Sequence, residues 1–382
     1  MNIMKVLLLD SAFSAEPMYE YLIGAGHDVW VMGSRASDVL AVRAGERWVN
    51  QDYSKPEEVI KHLVRLGIEA VVPGCTDVSL ETCTQLGAPW FKGDTRAVNE
   101  ALSNKAQFRR LCDQLELPAP RAQELTSFPK NGQFICKPVD AFSGRGISVF
   151  DGQDLSALQD AVVEARQASP TSSMVIENFC AGDLYSCSAF VVDGKLTAPH
   201  FVREGSSANP YVVDTSYVVS DLDAHVVESL VTGLERLSMH LGLSNGLLHT
   251  QFILSDGSPY IVEITRRCPG DLYSRLIEFS TGFPYAASYV SAFVGDIRVG
   301  RPMADRNIIR HTVTSFEGGV YGGLFFKESR VVKAFYPLAN LGVSLLPKQG
   351  NRAGVIFLDF PGKLEMLKSF EDFLAKDVYR VN

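Results

Sequence analysis

The sequence lacks any apolar run near the ~18 residues that a membrane-spanning helix requires, so no membrane partner is expected. Its seven cysteines are scattered and form no C-x-x-C pair. The opening stretch Met1–Asp10 holds one lysine and only the short apolar run Val6–Leu9, too little for the core of a secretory signal. Together these features place the chain in a reducing cytoplasm. Charge of one sign is scarce as well: 44 acidic residues against 36 basic ones leave a formal −8, so no global field favours a nucleic-acid partner. The turn after the first strand-like run, Asp10-Ser-Ala-Phe-Ser-Ala-Glu16, carries no G-x-G-x-x-G, which argues against a nicotinamide cofactor. There is no internal repeat and no low-complexity linker.

What is present is ample core material. The 382 residues are 46% hydrophobic and 21% charged, the composition of a soluble globular protein, and at ~100 to 200 residues per domain they imply two or three compact units. Apolar runs at Lys5–Asp10, His27–Met32 and Ile68–Pro73 alternate with helical patterns at Ala15–Ala25, Ser37–Ala44 and Lys55–Gly67, which predicts parallel β-α-β units. From Asp94 the character changes. Ala97–Glu116 is rich in helix formers and is stopped by Leu117-Pro-Ala-Pro120; Gln133–Pro138 and Gly146–Phe150 read as strands joined by a loop. Ser173–Phe179 reads as a strand, Leu184–Val192 and Leu196–Val202 as a hairpin about Asp193-Gly194, and Ala224–Leu241 as a helix with one buried leucine face. A further hairpin over Leu247–Arg267, with a three-residue or bulged turn, sets Gln251 opposite Glu263 and puts Glu263, Thr265 and Arg267 on one face.

Some of these residues suit phosphate chemistry. Lys137 lies in an apolar strand among Ile135, Cys136 and Pro138, where a lysine needs an anion to offset its desolvation, and Ser143-Gly-Arg-Gly146 can aim backbone N–H groups at phosphate oxygens. Asn104-Lys105 opens a helix. Met174–Asp183 ends an apolar strand in an acid and a turn, an extended segment able to meet the edge of an adenine. Gly246–Gln251 and Ile261–Arg267 set oxygen donors on facing strands, which suits magnesium, with an arginine close by for phosphate or carboxylate.

The order of these features resembles the ATP-grasp superfamily over roughly residues 3 to 300, in the carboxylate-amine ligase style of biotin carboxylase and the L-amino acid ligases. The resemblance implies a mixed fold, α/β and α+β. A Rossmann-like parallel domain over 1–93 is followed by a two-part ATP-grasp fold with antiparallel sheets, its first part with linker helices over 94–180 and its second over 181–304. A small β-rich C-terminal subdomain takes 305–382. It further implies that Lys105 and Lys137 hold ATP phosphates under a loop of Ser143, Gly144, Arg145 and Gly146. Glu177 with the backbone of Phe179 and Cys180 is to read adenine, and Asp183 stands in for a ribose acid where the expected position is Leu184. Gln251, Glu263 and Thr265 take the metal positions, although the family usually has a second acid where Gln251 stands and often Asn where Thr265 stands.

The implied cofactors are ATP and Mg²⁺, with Mn²⁺ as a substitute. Arg267 and Lys137 are the expected catalytic residues, and His249 and Arg275 are candidates for contact with substrate. The implied reaction joins a small carboxylate, amino acids among the candidates, to an amine through an acylphosphate, releasing ADP and phosphate. A bicarbonate-using carboxylase and a catalytically silent nucleotide-binding protein are the rival readings. The resembling architecture is commonly a homodimer.

Overall fold

The computed structural model describes residues 3–141, 144–295 and 297–381. The opening alternation resolves into four parallel strands, Lys5–Leu9, Asp28–Gly33, Trp48–Asn50 and Ala70–Pro73, ordered in space third, second, first, fourth. Leu7, Leu8, Val71 and Val72 are fully buried, as a parallel sheet covered on both faces demands. Local chemistry bounds the helices between them. Pro56–Leu66 starts on proline, carries Glu57 and Glu58 beside its positive end, and closes on Gly67 at φ 65°, a conformation that favours glycine.

The stretch Ala97–Glu116 is two helices, Arg96–Ser103 and Lys105–Gln114. Asn104 leaves the helical conformation, and its side-chain oxygen accepts the Gln107 N–H at 3.0 Å. An antiparallel sheet follows in the order Ala122–Gln123, Met174–Asn178, Gln133–Pro138, Ser148–Asp151, backed by the helix Leu155–Ala168.

The main sheet has eight strands, in the order Ser258–Thr265, Gly246–Ser255, Asp183–Val192, Lys195–Gly205, Thr215–Val219, Asn307–Ser315, Lys348–Phe360 and Val331–Pro337. Strands from beyond residue 305 therefore extend the same sheet that carries the 246–265 hairpin. One face packs on the helix Ala224–Leu241 through the fully buried Leu230, Leu234 and Leu237. The other packs on Tyr273–Thr281 and Tyr285–Val294, which share a core with the parallel sheet; the Tyr289 hydroxyl donates to the Pro73 carbonyl at 3.0 Å. No described helix is long and apolar enough to cross a membrane.

A buried ion pair pins the start of the second region to the hairpin. Arg266 Nε donates to Asp94 Oδ2 at 2.6 Å, Asp94 Oδ1 accepts the Ser244 N–H at 2.7 Å, and the two side chains are 7% and 5% exposed. Removing one partner strands a charge, so Asp94→Ala should lower stability by about 3 to 5 kcal/mol, read as a fall in the urea midpoint. A change below ~1 kcal/mol, the range of exposed pairs, would show the pair to be dispensable.

Candidate active site

The turn Asp256–Gly257, at φ 47° and 74°, closes the hairpin in two residues and pairs Ser255 with Ser258. A regular ladder from there would bring Gln251 opposite Val262. A bulge between Gln251 and Phe252 makes Val262 the extra residue, so Gln251 pairs with Glu263 and His249 with Thr265. The pairing matches the expectation, but the extra residue lies within the strand and not in the turn. The Val262 carbonyl accepts Arg109 Nη2 at 2.8 Å.

Arg109, from the helix Lys105–Gln114, also donates Nε to Glu177 Oε1 at 2.7 Å, and Lys137 Nζ donates to Glu177 Oε2 at 2.8 Å. Both oxygens of this wholly buried carboxylate are thus taken by cations. That places the Glu177 side chain beneath the phosphate-type lysine, not at an adenine edge, because it is opposite Ile135 in the sheet and points inward with it. Burial opposes ionisation of Glu177, but the charges and hydrogen bonds of Lys137 and Arg109 outweigh it and hold the carboxyl below its usual range. Of the backbone groups expected at the adenine, the Phe179 N–H donates to the Gln133 carbonyl at 3.0 Å, so its donor is not free for a ligand. A cavity of about 390 Å³, lined in part by Pro118, Phe179, Cys180 and Tyr260, opens at this hinge. Asp183 is 63% exposed and pairs with Arg203 Nη2 at 2.5 Å.

Lys105, Glu263 and Thr265 line one larger cavity of about 510 Å³ together with Asp77 and Asp140, a volume in the range of small-molecule sites. Lys105 Nζ donates to the Ala141 carbonyl at 3.0 Å; burial pushes its pKa down, against the charge of Glu263. Of the expected loop, Ser143 lies outside the described residues. Gly144 and Gly146 have φ of 70° and 67°, and a Cβ at Gly146 would come within 2.4 Å of the Ala168 Cβ, so side chains are excluded there. Arg145 lies between them.

The metal positions offer oxygens of three kinds: the Glu263 carboxylate, the Thr265 hydroxyl and the Gln251 amide. Gln251 Nε2 donates to Glu204 Oε2 at 2.7 Å, which leaves the amide oxygen for a cation. Among the described residues no group of three or more His, Cys, Asp or Glu is arranged to hold a metal. The donor set fits Mg²⁺, which takes one or two carboxylates and completes its shell with phosphates and water. A glutamate at 251 would set a carboxylate against the buried Glu204, so the amide is the residue this neighbourhood accepts.

His249 Nδ1 lies 2.8 Å from the Ser188 hydroxyl, and burial with the nearby Arg267 charge pushes its pKa down to about 3, so it is neutral at physiological pH. Arg267 grips Asp77 with Nε at 2.8 Å and Nη2 at 3.0 Å, a bidentate pair between the hairpin and the first helix after the parallel sheet, Asp77–Leu86. Arg275 is brought elsewhere. Its terminal nitrogens bond Glu278 and Glu20 against the helix Glu16–Gly24, because one turn of helix carries it toward the parallel domain. The sequence reading missed Arg109, Glu204 and Asp77. Arg109 was detectable, since it lies four residues after Lys105 on a face shared with Phe108 and Cys112.

A depressed native pKa contributes stability that is present above the unfolded value and lost as pH falls through the native one. For Glu177 the unfolded value is near 4.5, so Glu177→Gln should destabilise the protein at neutral pH by about 3 to 5 kcal/mol and flatten the loss of stability below pH 4.5. Urea titrations of both proteins from pH 3 to 7 (a range spanning that value) check this; parallel acid limbs would remove Glu177 from the linkage.

An ATP-grasp domain family matches residues 131–274, the span from the Lys137 strand to the start of the Tyr273–Thr281 helix. The carbamoyl phosphate synthase large chain of Deinococcus radiodurans is 25% identical over 271 residues, 63% of this chain; the chain spans only 26% of that relative. The fold is that of phosphoribosylglycinamide synthetase from Anaerococcus prevotii, with a TM-score of 0.78 at 14% identity over 100% of both chains. L-amino acid ligase from Bacillus licheniformis gives a TM-score of 0.75 at 19% identity over 100% of this chain and 99% of that one. The span similar to the ATP-grasp domain family holds the Lys137 strand, the glycine turn and the Gln251–Glu263 hairpin.

Proposed function

We propose that the protein joins a small carboxylate to a small amine, forming an amide through an acylphosphate and releasing ADP and phosphate. The observation that carries this reading is a lysine and a carboxylate lining one cleft, with a second lysine near enough for its charge to act on the first. Lys105, Glu263 and Thr265 line the larger cavity, and Lys137 is held by Glu177, whose charge also acts on Lys105. Lys105 and Lys137 would neutralise the phosphates, and Gly144–Gly146 would cover them. The backbone at Cys180 and the cavity beside it would take the adenine.

Magnesium, held by Glu263, the Gln251 oxygen and Thr265, would supply Lewis-acid stabilisation of the charge on the phosphates. No side chain is needed as a nucleophile. Positioning and electrostatics are what the residues here provide, as is general for phosphoryl transfer. Arg267, fixed by Asp77, keeps Nη1 directed at the Cys268 carbonyl at 3.2 Å and would stabilise the anionic intermediate. A catalytically silent protein is the second reading, favoured by the single carboxylate at the metal positions.

Two outcomes follow from these roles. Lys137→Ala should weaken ATP more than AMP by about 1.5 to 3 kcal/mol, measured by calorimetry; equal losses for the two nucleotides would take Lys137 off the phosphates. In a screen of carboxylates with ATP, magnesium and hydroxylamine, the right acid should give a hydroxamate and one ADP per product. Glu263→Gln should abolish this trapping with the fold intact. ATP binding without hydroxamate or ADP across the screen would favour the silent reading.

A further inference from the structure

Alternate residues at the end of the last parallel strand, Pro73, Cys75 and Asp77, tie the parallel domain to the hairpin and the helices behind it. The Pro73 carbonyl accepts the Tyr289 hydroxyl at 3.0 Å, the Cys75 thiol is hydrogen-bonded with the Cys268 thiol, and Asp77 takes Arg267 Nε at 2.8 Å and Nη2 at 3.0 Å. The outer two are ordinary polar contacts. The middle one brings together two cysteines far apart in the chain, one on each side of the contact.

Both cysteines are free, and both are buried in the core that the parallel sheet shares with the helices Tyr273–Thr281 and Tyr285–Val294. Each segment is pinned beside its thiol. The Cys75 N–H donates to Asp10 Oδ2 at 2.9 Å and its thiol to the Ser14 carbonyl at 3.3 Å. The Cys268 thiol reaches the Pro269 carbonyl at 3.5 Å, and the Cys268 carbonyl accepts Arg267 Nη1 at 3.2 Å. Thiols in contact belong to side chains that point at each other, which is the condition a disulfide sets on its two segments. The neighbouring thiol and burial push the Cys75 thiol up, so the pair rests protonated and slow to react, and an oxidant meets it as the contact opens.

We propose that Cys75 and Cys268 are a reversible disulfide site with a peroxide as the oxidant, and that the bond latches the parallel domain onto the end of the hairpin beside Arg267. One thiol attacks a peroxide oxygen; the O–O bond breaks, the departing oxygen leaves with the thiol proton as water, and a sulfenic acid forms. The second thiol attacks that sulfur, a second water leaves, and the S–S bond closes. Two thiols and one hydrogen peroxide thus give one disulfide and two waters, with two electrons passing from sulfur to oxygen. The resolving thiol is already in contact, so the sulfenic acid is consumed before a second peroxide can oxidise it further. A dithiol reverses the bond by exchange, as befits a disulfide in a reducing compartment. The latch holds whatever reaction the cleft carries out, so the inference does not rest on the ligase reading.

The test needs no turnover. The wild-type protein, freed of reductant, is treated with millimolar hydrogen peroxide and digested without reduction. Peptide mapping by mass spectrometry should find Cys75 joined to Cys268 within one chain, and dithiothreitol should return both thiols. Because the bond closes a long loop, the oxidised protein should unfold at a urea midpoint about 1 M above that of the reduced one. Cys75→Ser and Cys268→Ser should each lose both the link and the rise in midpoint. If either variant fails to fold, the wild-type map and its two midpoints decide. Free thiols at both positions, under a treatment that fully oxidises the unfolded protein, would overturn the proposal. So would a sulfinic acid at either position in place of the link, or a link that leaves the midpoint where it was.

Discussion

Burying a carboxylate costs several kcal/mol unless cations meet it, and Glu177 is met by two. One is Lys137, whose ammonium donates to it. The other is Arg109, which passes the constraint on to the Val262 carbonyl, the residue left over by the bulge. The small sheet, the linker helix and the hairpin are joined through these bonds. Because charge-assisted hydrogen bonds are directional, they fix where the lysine stands relative to Glu263 more narrowly than apolar packing would.

The bulge has its own consequence. Side chains alternate along a strand, so a slip of one residue between Gln251 and Phe252 would turn Glu263 away from Gln251. With the bulge in place, Gln251 stands between two acids, Glu263 across the hairpin and Glu204 two strands away. It donates to the second and thereby offers its oxygen on the side of the first. An amide is the side chain that can serve both neighbours at once. A second acid at position 251 would have to face the buried Glu204 carboxylate.

The parallel domain takes part in the site as well. Asp77 at the start of its fourth helix grips Arg267, and the Tyr289 hydroxyl reaches the end of its last strand. Arg267 is therefore oriented by a residue 190 positions away in sequence. Arg275, drawn to Glu20 and Glu278, belongs to the same contact between the helices and not to the cleft.

Local signals in the sequence determined most of the elements. Periodicity marked the helix Ala224–Leu241, the Asp193-Gly194 turn marked a hairpin, and Asn104 marked the start of the Lys105 helix. Lys137 and Glu263 stood out because each is a charged residue in an otherwise apolar local pattern, whereas Lys105 and Gln251 were named through the order of the motifs. What only the tertiary structure decided is which charges answer one another. Glu177 looked like a hinge acid until Arg109 and Lys137 were folded against it. The Phe179 N–H looked available until the neighbouring strand claimed it. Glu204 and Arg310 carried no local mark, since the groups their side chains meet lie on other segments of the chain. Side-chain alternation gives a residue its face, but the identity of its neighbour on that face depends on register and strand order, and these are set by packing between segments far apart in the chain.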